Sequence, residues 1–408
     1  MNNGIGGSSI QEALSKLTNM TSGFDAPSRN EYNQRIDRAT ELMKINDIDA
    51  IYLNAGTNLS YFTGTSWYAS ERLVGALLTS GGEVTYIAPW FEESTLSEFM
   101  TIKAPVATWH EHESPYNVVL ELAMTNGINR LAIDESTAFF IVDGIKESAQ
   151  IKEYSLDLVN SKPITAGCRM QKSEVELRLM QQAKDMTMEV HKAAASILVP
   201  GISTTQVTEF INQAHQAVGT KGSSFCIVLF GEATAYPHGV KEPQILKEGD
   251  MVLIDTGCQL HGYNSDITRS YVFGEANAKQ RATWQHEKDA QLAGFNAAKI
   301  GVACEQVDIA ARNYLTEQGY GPDYNVPGLP HRTGHGCGLD IHEWPYLVRG
   351  DKTLLAPGMC FSNEPMICIY GEFGVRLEDH FYMTESGPKW FTEPAYSIDD
   401  PFGSNITK

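Results

Sequence analysis

Long apolar runs are missing from this 408-residue chain. None approaches the roughly 18 residues a membrane-spanning helix needs. The opening MNNGIGGSSIQEAL has neither the charged nor the apolar region of a secretory leader. The expected address is therefore the cytoplasm. Basic charge is also scarce: 31 Lys and Arg stand against 50 acidic residues, a formal charge of -19. Without a basic patch there is no footprint for nucleic acid or an anionic membrane. No CxxC occurs among the seven cysteines, Cys168, Cys226, Cys258, Cys304, Cys337, Cys360 and Cys368. An odd count without an export leader fits reduced, buried thiols better than a disulfide framework. Cys258 and Cys337 fall within the site motifs below, but no zinc-type spacing gives them a metal role. No GxGxxG or GxxxxGK[ST] follows a strand-like stretch, so dinucleotide and P-loop roles are not expected.

What is present reads as two domains, since the length supports two cores and 42% hydrophobic with 20% charged residues is ordinary for a globular chain. Residues 1–28, rich in Gly, Ser and Asn, read as a loose amino-terminal arm that packs on a neighbour. Residues 29–165 alternate helical stretches with the β-rich runs AIYLNA, LVGALLTS, EVTYIAP and RLAIDE, which predicts an α/β domain. From 166 to 408 the character changes. Ser173 and Glu176 form a capping-box signature that opens a helix over about 174–198, ended by Pro200 and Gly201. A second helix over 204–218 leads into strands, and helices near 278–300 and 306–318 precede further strands. The order helix pair then acidic hairpin occurs twice, as two related halves folding over one site would require.

Those hairpins carry the chemistry. Asp255 and Asp266 flank a turn centred at Leu260 and His261, and Glu364 and Glu378 flank Gly371. Residues directly opposite across an antiparallel pair share a face with Cβ atoms about 5 Å apart, where like charges destabilise the sheet. A cation between the carboxylates is a simpler answer than a protonated acid. Between the hairpins lies LPHRTGHGCGLDIHEWPYL, with His331, His335 and His342. This is no HExxH zinc helix, because Pro345 follows His342 and Glu343 too closely. His335 sits between glycines that let backbone approach a ligand. The proposed ligands are Asp255, Asp266, His335, Glu364 and Glu378. Four oxygen donors with one imidazole favour Mn²⁺, Fe²⁺ or Co²⁺, with Zn²⁺ an alternative. Five side chains exceed what one open catalytic ion needs and suit two ions about 3.5 to 4 Å apart.

The series IDTGCQLHGYNSDITRS, HRTGHGCGLDIHEWP, SNEP and GVRLED resembles the M24 metallopeptidases of the pita-bread fold, which include prolidase, aminopeptidase P, methionine aminopeptidase and creatinase. The stretch before residue 165, with YFTG at Tyr61 to Gly64, more loosely resembles the creatinase-type amino-terminal domain. The resemblance implies a pita-bread catalytic domain with a pseudo-symmetric antiparallel sheet. It also implies that Asp255 binds one of two divalent ions, Mn²⁺ first, that Asp266 and Glu378 bridge them, and that His335 and Glu364 complete the second site. Glu364 would accept a proton from the attacking water. His238 in AYPHGV would assist proton movement or substrate binding, and His342 would contact the substrate carbonyl. His331 would be another active-site histidine, and Arg376 would order the bridging carboxylates. Blander readings leave His238 solvated and Arg376 a cross-strand partner of Glu364. Trp67, Tyr68 and Arg72 read as core or domain-interface residues and HEHES at His110 as a solvated loop. The family also makes Trp67 a candidate for reaching a neighbouring subunit's site in a homodimer.

GLDIHEWP is similar to prolidases in particular, which implies hydrolysis of Xaa-Pro dipeptides. Aminopeptidase P activity on longer Xaa-Pro peptides is the near alternative. Of another class is dimethylsulfoniopropionate lyase, whose first motif carries a further Asp where this chain has Gly257.

Overall fold

The computed structural model describes residues 4–403, so the first three residues of the expected arm and the last five of the chain lie outside the described residues. Two compact units form among the described residues, one from 26–169 and one from 4–25 with 170–403.

In the first unit, six strands make one mixed sheet. Its order is Val106–Trp109, Val84–Pro89, Gly75–Thr79, Ala50–Asn54, Arg130–Ile133 and Asp157–Asn160. The four inner strands coincide with the four β-rich runs, as central strands buried on both faces read as continuous apolar stretches. The two edge strands have no such run, because an edge is half-solvated and short. Ser28 caps Arg29–Ile45 by accepting a hydrogen bond from the Glu31 amide. YFTG ends the helix Thr57–Thr63, where Gly64 takes the left-handed φ of +69° that an L side chain resists. Arg72, expected in the core or a domain interface, is not in the core: its guanidinium pairs with Glu111 of the HEHES loop at 3.2 Å. Trp67 packs edge-on to Phe99, with Tyr68 exposed beside it.

The amino-terminal residues are not a loose arm. Ser9 and Glu12 close a capping box on a helix, Ile10–Ser15, that buries Ala13, and the Gly6 and Ser8 amides donate to Ala195 and Ser196 carbonyls of the same unit. Leu14, Leu17 and Met20 supply the apolar contacts that composition concealed.

Three long helices of the second unit, Glu174–Ser196, Thr204–Ala217 and Ala278–Ala297, begin at capping boxes. Glu174–Ser196 starts at the Ser173/Glu176 box and buries Leu179, Met180, Ala183, Met186 and Val190 on one stripe. Each large apolar side chain so buried contributes about 2 kcal/mol. Thr204–Ala217 begins at a Ser203/Gln206 box, and Ala278–Ala297 and Glu305–Glu317 form the later pair. Between them Phe225–Phe230, Met251–Gly257 and Ile267–Val272 make an antiparallel sheet. After the second pair, a five-stranded sheet contains Gly334–Gly336, Cys360–Asn363 and Asp379–Thr384. A bridge between Thr268 and Glu378 joins the two hairpins.

Candidate active site

The second hairpin has the expected register. Met366 pairs with Arg376 and Asn363 with Asp379, which sets Glu364 level with Glu378 about Gly371. The first hairpin differs by two residues. Asp255 lies opposite Thr268, because the tight turn is His261-Gly262, both at positive φ, rather than Leu260-His261. A two-residue shift keeps the parity of the strand, so Asp255, Asp266 and Thr268 still share a face.

That face and the His335 strand converge. Three groups of possible ligands have their donor atoms within 4.8 Å of one another: Asp266 with His335 and His342, Asp266 with Glu378 and His380, and His335 with Glu364 and Glu378. His335 Nε2 stands 3.0 Å from Glu364 Oε1 and 3.8 Å from Asp266 Oδ2. Its Nδ1 lies 3.0 Å from the Gly336 carbonyl, and its amide donates to Ser362 Oγ at 2.9 Å. The ring is therefore fixed with Nε2 toward the acids. Asp255 belongs to none of the three groups. Its Oδ2 accepts from Arg376 at 2.6 Å, while its Oδ1 is buried without a partner. Asp266 Oδ1 is likewise buried and unpaired. Two orphaned carboxylate oxygens among four clustered acids match the donor set of a divalent-cation site.

Electrostatics agrees. Burial, then the fields of Glu378 and Asp255, pushes Asp266 well above the ordinary carboxylate range, and burial with Glu364 and Asp255 does the same to Glu378. Asp255 is raised by burial against the opposing field of Arg376. Burial also opposes charge on Glu364. There the hydrogen bond from His335, with the fields of His335, His331 and Arg376, outweighs burial and holds it below its usual range. A bound cation would take the place of the protons these groups otherwise retain.

The other expected residues lie around this cluster. Arg376 is not a cross-strand partner of Glu364: it pairs in register with Met366, and its guanidinium reaches Asp255, Thr268 Oγ1 at 3.2 Å and the Pro237 carbonyl at 3.0 Å. Through Pro237 it holds the loop of His238, an exposed side chain lining a cavity of about 320 Å³. His342 is exposed as a residue, but its ring is half-buried 4.2 Å from that of His335, and this partial burial followed by the field of His335 lowers it to about 4. His331 directs Nδ1 to the Arg332 carbonyl and leaves Nε2 buried and unpartnered. Cys258 and Cys337 fall in none of the three ligand groups.

Several residues were not anticipated. Thr268 donates to Glu378 Oε2 at 2.8 Å, and its place two residues beyond Asp266 was a readable same-face signal. His380 stands in the same relation to Glu378. Arg269, fully buried on the opposite face, bonds Asp379 at 2.7 Å and the Glu378 carbonyl at 2.9 Å, pinning the hairpins together from below. No local pattern marked it. Gly257 has no room for a side chain, since a Cβ there would lie 1.9 Å from the Ser265 carbonyl oxygen. The additional Asp of the lyase motif therefore does not fit at this position.

Known proteins resemble this chain over most of its length. Residues 178–385 match the model of metallopeptidase family M24, and 35–171 match the creatinase/prolidase N-terminal domain. An Xaa-Pro dipeptidase of Pyrococcus horikoshii is 31% identical over 362 residues, covering 88% of this chain and 97% of the relative. The crystal structure of dipeptidase PepE from Mycobacterium ulcerans superposes with a TM-score of 0.82 at 30% identity, over 90% of this chain and 97% of that one. An X-Pro aminopeptidase from Thermotoga maritima, 22% identical with a TM-score of 0.76 over 89% of this chain and 98% of its own, shares the fold. With a creatinase-type first unit and a pita-bread second one, this chain belongs to metallopeptidase family M24.

Proposed function

We propose that the chain is a dinuclear metal-dependent Xaa-Pro dipeptidase. The observation that carries this reading is the convergence of Asp266, His335, Glu364 and Glu378, with unpaired oxygens on Asp255 and Asp266. Relatives of about 30% identity named Xaa-Pro dipeptidase support the choice of substrate. Asp255, Asp266, His335, Glu364 and Glu378 would hold two divalent ions, Mn²⁺ first given the oxygen-rich set. Bound there, the ions supply Lewis acidity toward water and toward a peptide carbonyl.

The remaining roles fall to the side chains. Glu364, held ionised by His335, accepts the proton of the attacking water and passes it to the leaving proline nitrogen. His342, neutral at working pH, offers an N–H to the developing oxyanion without adding charge. His331 presents its free Nε2 to substrate, and Arg376 fixes Asp255 while steadying the loop of His238. A homodimer is part of the same reading, with Trp67 the aromatic to test at a neighbour's site.

An assay of the Mn²⁺-loaded protein compares an Xaa-Pro dipeptide, a longer Xaa-Pro peptide and dimethylsulfoniopropionate. Cleavage of the dipeptide is the expected result. Turnover of the longer peptide alone would replace the reading with aminopeptidase P, and acrylate release would overturn both.

A further inference from the structure

We propose that His380 is a second histidine of the metal cradle, placing its Nε2 on an ion shared with Asp266 and Glu378. The inference rests on the two-metal reading and adds a ligand to it.

Glu378 and His380 are two residues apart in extended backbone and so face the same way. His380 lies opposite Ser362, whose hydroxyl donates to Glu364 Oε1 at 3.0 Å and accepts the His335 amide. The side chain is fully buried, with Nε2 3.4 Å from Glu378 Oε1. The donor atoms of Asp266, Glu378 and His380 fall within 4.8 Å of one another. Bonds of about 2.0 to 2.2 Å to a common ion would separate two ligands by at most about 4.4 Å. Small side-chain adjustments therefore close this group on a cation.

The two histidines are also held alike. His335 has its Nδ1 occupied by the Gly336 carbonyl, which leaves Nε2 for the cradle. His380 has its Nδ1 3.2 Å from Cys337 Sγ, with Nε2 again toward the acids. Engagement of the outer ring nitrogen by a neighbour is how a protein orients a metal-ligating imidazole. The two rings stand perpendicular with centroids 6.3 Å apart, so each can approach the cluster from its own side. A second imidazole among carboxylates moves the preference of the site from Mn²⁺ toward Co²⁺ and Zn²⁺.

X-ray absorption of the full chain loaded with Co²⁺ counts imidazoles directly. His342→Gln serves as the background, which removes the exposed ring from the count. In that background two imidazoles for each pair of ions are expected. Adding His380→Asn should leave one and weaken Co²⁺ binding at least about tenfold. A count of one before His380 is changed, or an unaltered count and affinity afterwards, would overturn the proposal while leaving the two-metal site standing. Should the variant fail to fold, the count with His380 in place decides alone. If the protein takes up no Co²⁺, this proposal and the metal reading both fall.

Discussion

Removing the carboxylate of Asp379 tests whether the buried pair beneath the site holds the two hairpins in place. Arg269 and Asp379 are both fully buried and 2.7 Å apart. Asp379 also accepts from Thr392 Oγ1 at 2.8 Å and from Gln291 Nε2 at 3.2 Å. Asp379→Ala leaves Arg269, which cannot lose its proton, without its counter-charge and the Thr392 hydroxyl without its acceptor, while Gln291 keeps the Asn363 and Leu377 carbonyls. An uncompensated buried charge costs about 3 to 5 kcal/mol. Replacing both partners, Arg269→Met with Asp379→Leu, removes the charge and leaves only neutral groups unpaired at about 1 kcal/mol each. The double variant should therefore lose less than the sum of the single ones, with a coupling of about 2 to 3 kcal/mol. Urea denaturation of the chelated protein measures this without a contribution from bound metal. Because Arg269 also bonds the Glu378 carbonyl, a metal titration of Asp379→Ala should show weaker binding. A loss under about 1 kcal/mol, or strict additivity, would refute the reasoning.

Chelation should lower the melting temperature, and Mn²⁺ at a hundredfold above its dissociation constant should return about 2.7 kcal/mol per site; no shift in a thermal scan would contradict the metal site. Burial lowers His215 to about 4, so the neutral ring contributes stability that is whole above pH 6.5 and lost as pH falls toward 4. The slope is about 1.4 kcal/mol per pH unit. His215→Gln should erase it, narrowing the gap to wild type in denaturation curves from pH 7 to pH 4; parallel curves would refute the assignment. Gly257→Ala drives a Cβ against the Ser265 carbonyl beside Asp266, which predicts a stability loss of about 1 to 3 kcal/mol and reduced metal content by elemental analysis. Wild-type values for both would show that the backbone yields there.

Local chemistry was legible from the residues alone. The cap at Ser173 and the turn at Gly371 act within a few residues, so they were readable without the rest of the chain, whereas the first turn lies one residue beyond its expected centre. Period-two alternation then placed Asp255 with Asp266, and Glu364 with Glu378, on common faces even where the register differed by two. The donor types named a hard-cation site for the same reason. Tertiary structure alone decided how the hairpins meet. The Thr268–Glu378 bond spans 110 residues, and nothing in either segment specifies the other as its partner. Packing likewise turned Arg376 to Asp255, set Cys337 behind His380, buried Arg269 under the cradle and folded the amino-terminal helix onto its own unit. These contacts join segments far apart in the chain, and only the closed core brings such groups within bonding distance.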